Sequence, residues 1–560
     1  MFIKFPNQGI KQSCINLFPC ALFGFLGFFG SSMLAVDWFN AVPGDLGDAR
    51  FNSVILEHIY GWLQGRWTNL WSPIFFYPYA HVLAFSDNHF GSVAPYILFR
   101  GIGLSREQGF IAWYLFGIVL NYFSCFYVFR RIGLASFSAA AGAFVFTFSL
   151  PTVLSQEMHA QMVYRYAIPM AFLALCNMYR EKKISALPAV CFWTAVQFYC
   201  SIYLGLFLIY FLLAFMVGLL ISERHLLSQW FAKRGMERQL VLKYQTILLT
   251  LICAASVGYL LIRYKVIASE YQLIRSKETL RLMLPTLKSY LIGDVSIWTA
   301  FTGRWIDDVP MRYEHQLFFG IGPSLIFFLG LFSILKIKNN YLSQGDPLLR
   351  VYGKAAIYAL LILFVMTLRV GNLSVYHLVT AIPGLESIQA VTRVILIMAL
   401  PFGLIVAIAC QSIMSYLNTR LDSYKMMLGG LLLILLLGYE ALFSIHTHRA
   451  ISTWTARINP LLDSMKGVDI SNKILFVSAT SAEPYYLTEL DGMIVSQILG
   501  IPTINGYSGN FPPGYIDPKD CEAYKIRLAG YERYRQALSL ETQEMDGQVI
   551  VLPVSSCAKP

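Results

Sequence analysis

The chain is 560 residues long, 56% hydrophobic and 15% aromatic, with only 13% charged residues and a mean hydropathy of +0.56. Soluble globules carry about 25% charged residues, so this composition excludes a water-soluble enzyme and fits a polytopic membrane protein. The formal net charge of +11 is not a nucleic-acid footprint, because the basic residues sit mainly in short loops between apolar runs.

In chain order, the Phe-rich stretch 17–36 follows Lys4 and Lys11 and reads as an uncleaved first span. Its apolar run is long for a secretion signal and more spans follow. Further candidate spans are 107–129, 135–151, 166–179, 186–200, 202–221, 241–263, 315–335, 354–370, 393–415 and 426–447, with 186–221 also readable as one broken span. This gives about 11 transmembrane helices. Arg130-Arg131, Arg180 to Lys183, the 223–243 loop, Lys336 to Lys354 and Arg420/Lys425 fall on one side with Lys4 and Lys11. The positive-inside rule then puts the N-terminus in the cytoplasm and three sizeable segments outside: 37–106, 264–314 and 448–560. Outside a plasma membrane and inside a lumen are topologically equivalent.

Residues 43–52, PGDLGDARFN, carry Asp45, Asp48 and Arg50 directly after the first span. The next stretch, RFNSVILEHIYGWL (50–63), sets Phe51, Val54, Ile55, Ile59, Trp62 and Leu63 on one helical face, with Arg50, Ser53 and Glu57 opposite and His58 at the edge. That pattern predicts a helix lying flat in the headgroup layer, holding both aspartates at the water–lipid boundary. A carboxylate there can take a proton from a hydroxyl or amide attacking a lipid-carried group, with cations holding a phosphate leaving group. The structural alternative is that Asp45 caps a turn and Asp48 the flat helix, with Arg50 a headgroup anchor.

Glu157, Gln161 and Arg165 recur at i, i+4, i+8, which predicts one helix face carrying all three with His159 nearby. They read either as acceptor or phosphate contacts, through His159 and Arg165, or as an Arg165–Glu157 packing network. Arg393 opens an apolar span on the outer side, where it can meet a lipid phosphate from a headgroup or a bound donor. WIDDVP (305–310) holds an acidic pair, but no third ligand completes it, so no metal and no cofactor is assigned and a divalent cation has no support.

The segment 1–447 reads as the membrane domain and 448–560 as a small extracytoplasmic α/β domain. KILFVSA (473–479), IPTIN (501–505) and QVIVLPV (548–554) are predicted strands, with helices at 485–499 and within 518–540. NGYSGNFPPGY (505–515) is loop material that either covers the membrane cavity, with Tyr507 or Asn505 touching a sugar, or simply joins strand to helix. Eight of the ten cysteines lie in or beside apolar runs, and Cys521 and Cys557 fall in the tail, either as a disulfide or as two thiols.

A polytopic chain with an acidic motif just after its first span resembles the GT-C superfamily of membrane glycosyltransferases, and GDAR (47–50) is similar to that family's acidic-Ala-Arg motif. FFYPYAHVLAFSDNHFG (75–91), MHAQMVYRYAIP (158–169), PGLESIQAVTRV (383–394) and INGYSGNFPPGY (504–515) resemble, in order, a bacterial GT-C-like branch. The resemblance implies a mainly α, GT-C-like fold in a bacterial inner membrane and transfer of a sugar from a polyprenyl-phosphate donor to a glycan, lipid or protein acceptor on the outer face. It implies Asp48, or Asp45, as general base, with Arg393, Arg165 and His159 as phosphate ligands. Arg50, Glu57, His58, Tyr507 and Asn505 are then candidate acceptor or sugar contacts. Gln389 stands where members often have a second arginine, which weakens a two-arginine clamp. Two other classes compete. A transporter or flippase of a lipid-linked saccharide predicts polar mid-membrane residues and repeats. A non-catalytic assembly factor predicts outer-loop charges that can be replaced without loss.

Overall fold

The computed structural model describes residues 10–182, 184–223, 240–273, 276–302, 305–336, 347–381, 388–478, 483–515, 522–540 and 548–553. Among these, seven helices are long and apolar enough to cross a membrane: Leu17–Ala35, Arg106–Arg131, Ile202–Ser222, Tyr244–Glu270, Pro347–Thr367, Val391–Arg420 and Ser423–Leu442. The pair Ser136–Phe148 and Leu150–Met158, bent by 40°, makes an eighth if taken as one span. Ala167–Glu181, Leu187–Cys200 and Ile321–Lys336 match the remaining expected spans but are shorter. At 1.5 Å per residue, 26 residues reach about 39 Å, enough for a hydrocarbon core of about 30 Å. The chain is a mainly α, multi-pass integral membrane protein.

The helix beginning at Ile395 is the axis of the bundle, buried without a break from Ile395 to Cys410. It crosses Ser136–Phe148 at close range. A Cβ on Gly142 would lie 2.6 Å from the Gly403 carbonyl oxygen, and one on Gly403 would lie 2.7 Å from the Gly142 oxygen. Small residues at such a crossing let dispersion forces act between backbones, the main attraction available where lipid is as apolar as leucine. Helix Tyr244–Glu270 is the opposite case, with only 6% of its apolar window covered by protein.

Described residues of the first loop, of 276–302 and 305–320, of 388–394 and of the tail contact one another, as in Phe76 N to Asn505 O, Thr392 N to Met283 O and Arg393 to Glu314. Ala41–Pro43 pairs antiparallel with His448–Ala450, joining the exit of the first span to the start of the tail. In the tail, Ile474–Ser478 pairs parallel with Val549–Pro553. Helices Ile451–Ser464, Tyr485–Leu499 and Ala523–Ala537 accompany them. The expected strand at 501–505 is reduced to a single bridge, Leu475 to Thr503. Pro502 has no N–H to give, and the Asn505 side chain takes over the ladder, accepting from Val477 N at 2.7 Å and donating to its carbonyl at 2.9 Å. First-loop residues 74–77 extend the sheet beyond this bridge. Thr503 N donates to Ile74 O (2.8 Å), and the amides of Phe76 and Tyr77 donate to the carbonyls of Asn505 and Thr503 (2.9 Å each).

Helix Asp48–Leu63 forms as its periodicity predicts but is not a free amphipathic helix in the headgroup layer. Every residue from Ala49 to Ile59 is buried. Its polar face is covered by protein, since Arg50 pairs with Asp491 of tail helix Tyr485–Leu499 and Glu57 accepts from Tyr96 and Arg100. An amphipathic pattern reports that the two faces differ, not whether water, lipid or protein covers the polar one.

Candidate active site

Asp48 begins this helix, and Asp45 sets its approach. One Asp45 carboxylate oxygen accepts from the amides of Gly47 (2.9 Å) and Asp48 (3.1 Å). That satisfies amide donors at the helix start and fixes the backbone from which the Asp48 side chain projects. The two aspartates therefore hold different positions: Asp45 is bound to backbone, whereas Asp48 lines a cavity of about 1310 Å³.

A chain of polar groups leads away from Asp48. Its Oδ2 lies 3.1 Å from His159 Nδ1, and His159 Nε2 lies 3.2 Å from Glu314 Oε1. The same Glu314 oxygen accepts from Arg393 Nη2 at 3.0 Å, and Arg393 stacks over the Tyr203 ring, 5.4 Å from its centroid. On the other side of Asp48, the Tyr507 hydroxyl donates to Oδ1 at 3.4 Å. Six distant segments thus meet around Asp48, and of these groups Asp48, Tyr203, Arg393 and Tyr507 line the cavity.

Local backbone explains the presentation of His159. Helix Leu150–Met158 ends there (φ −135°, ψ 78°), and a short 3-10 turn, Ala160–Met162, follows. The break overturns the expected single face of Glu157, Gln161 and Arg165. Glu157 instead accepts from His446 Nδ1 (2.6 Å) and Thr447 N (2.7 Å). Gln161 accepts from Asn52 Nδ2 at 3.0 Å and lines the cavity. Arg165 is fully buried against the Phe146 ring, 5.0 Å from its centroid, and is not on the cavity wall.

Burial pushes the Glu314 carboxyl up, but Arg393 and His159 outweigh it and hold the group well below the usual carboxylate range. Burial and Arg393 push His159 down, while Glu314 and Asp48 more than compensate, so its imidazolium is favoured. With both ring nitrogens protonated, His159 donates to Asp48 and to Glu314. Burial and the neighbouring Asp48 raise Tyr507, which keeps it a hydroxyl donor.

Several residues expected at the site are engaged elsewhere. Arg50 is spent on Asp491 in a cluster that includes Arg457, whose Nη2 donates to Asp491 Oδ2 at 2.7 Å. Glu57 accepts from Tyr96 Oη (2.7 Å), Arg100 Nε (2.9 Å) and Arg66 Nη2 (3.1 Å). His58 contacts the Leu70 carbonyl through Nε2 (2.9 Å) and stacks on Trp67. Asn505 braces the tail as described above. In WIDDVP, Asp308 accepts from Lys288 Nζ at 2.7 and 2.8 Å. Cys521, Cys557 and residues 383–387 of the PGLESIQAVTRV motif lie outside the described residues.

The structure adds residues that were not among the candidate site residues. Glu314 had a legible signal, a carboxylate at the start of an apolar run, which is costly unless paired. Asp87 also lines the cavity and accepts from Ile202 N and Ser201 Oγ, each at 2.9 Å, capping helix Ile202–Ser222. Lys265 and Lys277 line it from segments remote in sequence. Beside these groups the wall includes Leu206, Leu261, Ile262 and Leu273, so polar and apolar surfaces share one cavity.

No family model and no curated protein sequence match the chain. Among solved structures, it is similar to the arabinofuranosyltransferase AftD from Mycobacteria, with a TM-score of 0.50 and 13% identity over 91% of this chain and 32% of that one. The chain therefore spans about a third of the length of AftD. The archaeal oligosaccharyltransferase AglB from Archaeoglobus fulgidus, solved with an inhibitory peptide and a dolichol-phosphate, aligns at a TM-score of 0.44 and 12% identity, covering 95% of this chain and 69% of that one. Together with the bundle and its long first loop, the likeness to AftD identifies the architecture: this chain has the fold of the GT-C superfamily.

Proposed function

We propose that the chain is a GT-C-type glycosyltransferase that moves a sugar from a polyprenyl-phosphate donor to an acceptor hydroxyl on the extracytoplasmic face of a bacterial inner membrane. The acceptor oxygen bonds to the anomeric carbon, the bond from that carbon to the phosphate oxygen breaks, and polyprenyl phosphate departs with the electron pair. Asp48 takes the hydroxyl proton, and attack opposite the leaving group inverts the anomeric centre. Arg393 holds the phosphate from the same wall. His159, expected as a second phosphate ligand, is not among the groups lining the cavity and gives its two ring N–H groups to Asp48 and Glu314, so in this reading it positions Asp48. Arg165 would act only through packing in this reading, since its guanidinium is away from the cavity.

The observation that carries the reading is one cavity with Asp48 and Arg393 on its wall and an apolar flank at Leu206, Leu261 and Ile262 suited to a polyprenyl tail. The sidedness rests on the distribution of Lys and Arg among the loops. The test uses membranes containing the full chain, supplied with a panel of polyprenyl-phosphate sugars. Asp48→Asn should abolish transfer while the protein still expresses and folds. Full transfer by Asp48→Asn and by Asp45→Asn, each tested alone, would sink the mechanism.

A further inference from the structure

A cleft of about 500 Å³ adjoins the large cavity and shares part of its wall. Its polar side chains are Gln272, Ser276, Gln389 and Asn510, and its rings are Tyr271 and Phe511. Among the described residues lining it there is no Asp, Glu, Lys, Arg or His. The large cavity differs sharply, with Asp48, Asp87, Lys265, Lys277 and Arg393 on its wall. Among the described residues, the charged side chains line the large cavity, and those lining the adjoining cleft are polar, aromatic or apolar.

That lining selects by chemistry. A primary amide offers two donors and an acceptor, which suits a ligand hydroxyl that both gives and receives a hydrogen bond. An anionic ligand draws its affinity from Arg or Lys, and a basic peptide from carboxylates, neither of which is found among the described residues lining the cleft. Apolar ring faces beside a few fixed polar groups are the usual construction of a small-molecule site.

The walls are set before any ligand arrives. The Tyr271 hydroxyl donates to the Ala80 carbonyl at 2.7 Å, and its ring stacks on Tyr534. Asn510 Nδ2 donates to the Phe85 carbonyl at 2.8 Å, which leaves its amide oxygen to accept. Phe511 stacks on Tyr515, and the Pro513 carbonyl accepts from Tyr79 Oη at 2.7 Å. A wall held this way costs little ordering on binding.

One loop connects the cleft to the candidate base. Tyr507 to Asn510 line the large cavity and Gly509 to Phe511 line the cleft, while the Tyr507 hydroxyl touches Asp48. We propose that the cleft is the acceptor subsite and that the acceptor is an uncharged, hydroxyl-rich glycan lying along this loop with its reacting hydroxyl at Asp48. The role as acceptor rests on the transferase reading, whereas binding of a neutral glycan does not.

The test presents the full chain in lipid nanodiscs to an array of uncharged oligosaccharides, oligosaccharides bearing carboxylates or phosphates, and acidic and basic peptides. Retention of one or more uncharged oligosaccharides is expected, at least tenfold weaker in Gln272→Ala and in Asn510→Ala and still present in Asp48→Asn. Gln272→Ala removes no internal bond seen in the structure, so it serves if Asn510→Ala fails to fold. Retention confined to charged glycans or peptides, no retained glycan, or neutral binding unchanged in a folded Gln272→Ala would overturn the subsite. Neutral binding without turnover of any donor would keep the subsite and overturn transfer, and turnover onto a charged acceptor would do the reverse.

Discussion

Glu314→Gln keeps the shape of the side chain and removes one charge from a buried cluster. Glu314 Oε1 stands 3.0 Å from Arg393 Nη2 and 3.2 Å from His159 Nε2. A unit pair at that separation, with an effective dielectric constant near 20, interacts by about 5 kcal/mol. Removing one partner of a buried pair costs about 3–5 kcal/mol, and glutamine retains an acceptor, so a loss of about 3 kcal/mol is expected in mild acid. The loss depends on pH through His159. In the parent chain burial and Arg393 lower its pKa, but Glu314 and Asp48 raise it further, so the folded value exceeds the unfolded one of about 6.5. Its stabilisation is full below about pH 6.5 and fades as pH rises through the raised value. In the variant only Asp48 opposes burial and Arg393, so the folded pKa drops below 6.5 and His159 costs stability as pH falls. Glu314 itself stays ionised throughout, because its pKa is held well below the usual range. The gap between parent and variant should therefore be widest near pH 5.5 and narrow towards pH 8.5. Thermal melting of the purified protein in detergent, followed by tryptophan fluorescence, reads the gap directly as a difference of a few degrees. An equal or larger drop at pH 8.5 would refute a protonated His159 held against Glu314.

Other perturbations separate the roles of neighbouring residues. Asp45→Ala should lower stability by about 1 kcal/mol and reduce transfer through misplacement of Asp48, while Asp45→Asn, which keeps the acceptor for the Gly47 and Asp48 amides, should restore most of both. Transfer rates and melting temperatures of the two variants decide this. Asp491→Ala should destabilise by about 3–5 kcal/mol, because it leaves fully buried Arg50 without its carboxylate. Yield and melting check it, and the double change with Arg50→Met should recover much of the loss. Gly506→Ala puts a Cβ 2.2 Å from Phe76 Cδ1, so the loop that carries Tyr507 must shift. A cost of about 1–3 kcal/mol and weaker transfer are expected in the same assays.

What was legible in the sequence divides along physical lines. Long apolar runs revealed the spans because hydrocarbon demands them locally, residue by residue. PGDLGDARFN drew notice as charge directly after a span, but its local pattern left a capping role open, and the preference for Asp48 came from the resemblance of GDAR to the family motif. Partners were not legible. Arg50 looked like a headgroup anchor, yet its carboxylate is 441 residues further along the chain. Glu157 and Arg165 were predicted to share a face because a helical period was extended across His159, where the backbone turns out of the helix. Glu314 opens an apolar run, yet it was not a candidate site residue, since nothing in that stretch names Arg393 as its partner. Tyr507 was weighed as a sugar contact within a loop of defined shape, while its approach to Asp48 depends on how the tail folds back over the first loop.

The antiparallel pairing of Ala41–Pro43 with His448–Ala450 has a consequence for the timing of biosynthesis. The surroundings of Asp48 draw on positions 159, 314, 393 and 507, so a ribosome must have reached residue 507 before that carboxylate acquires them. A nascent chain halted before residue 448 has inserted its first helix and exposes an aspartate with no tail above it. The short ladder is the stitch that draws a later-made segment back to an earlier one, and it ties the completion of the site to the arrival of residues 448 to 507.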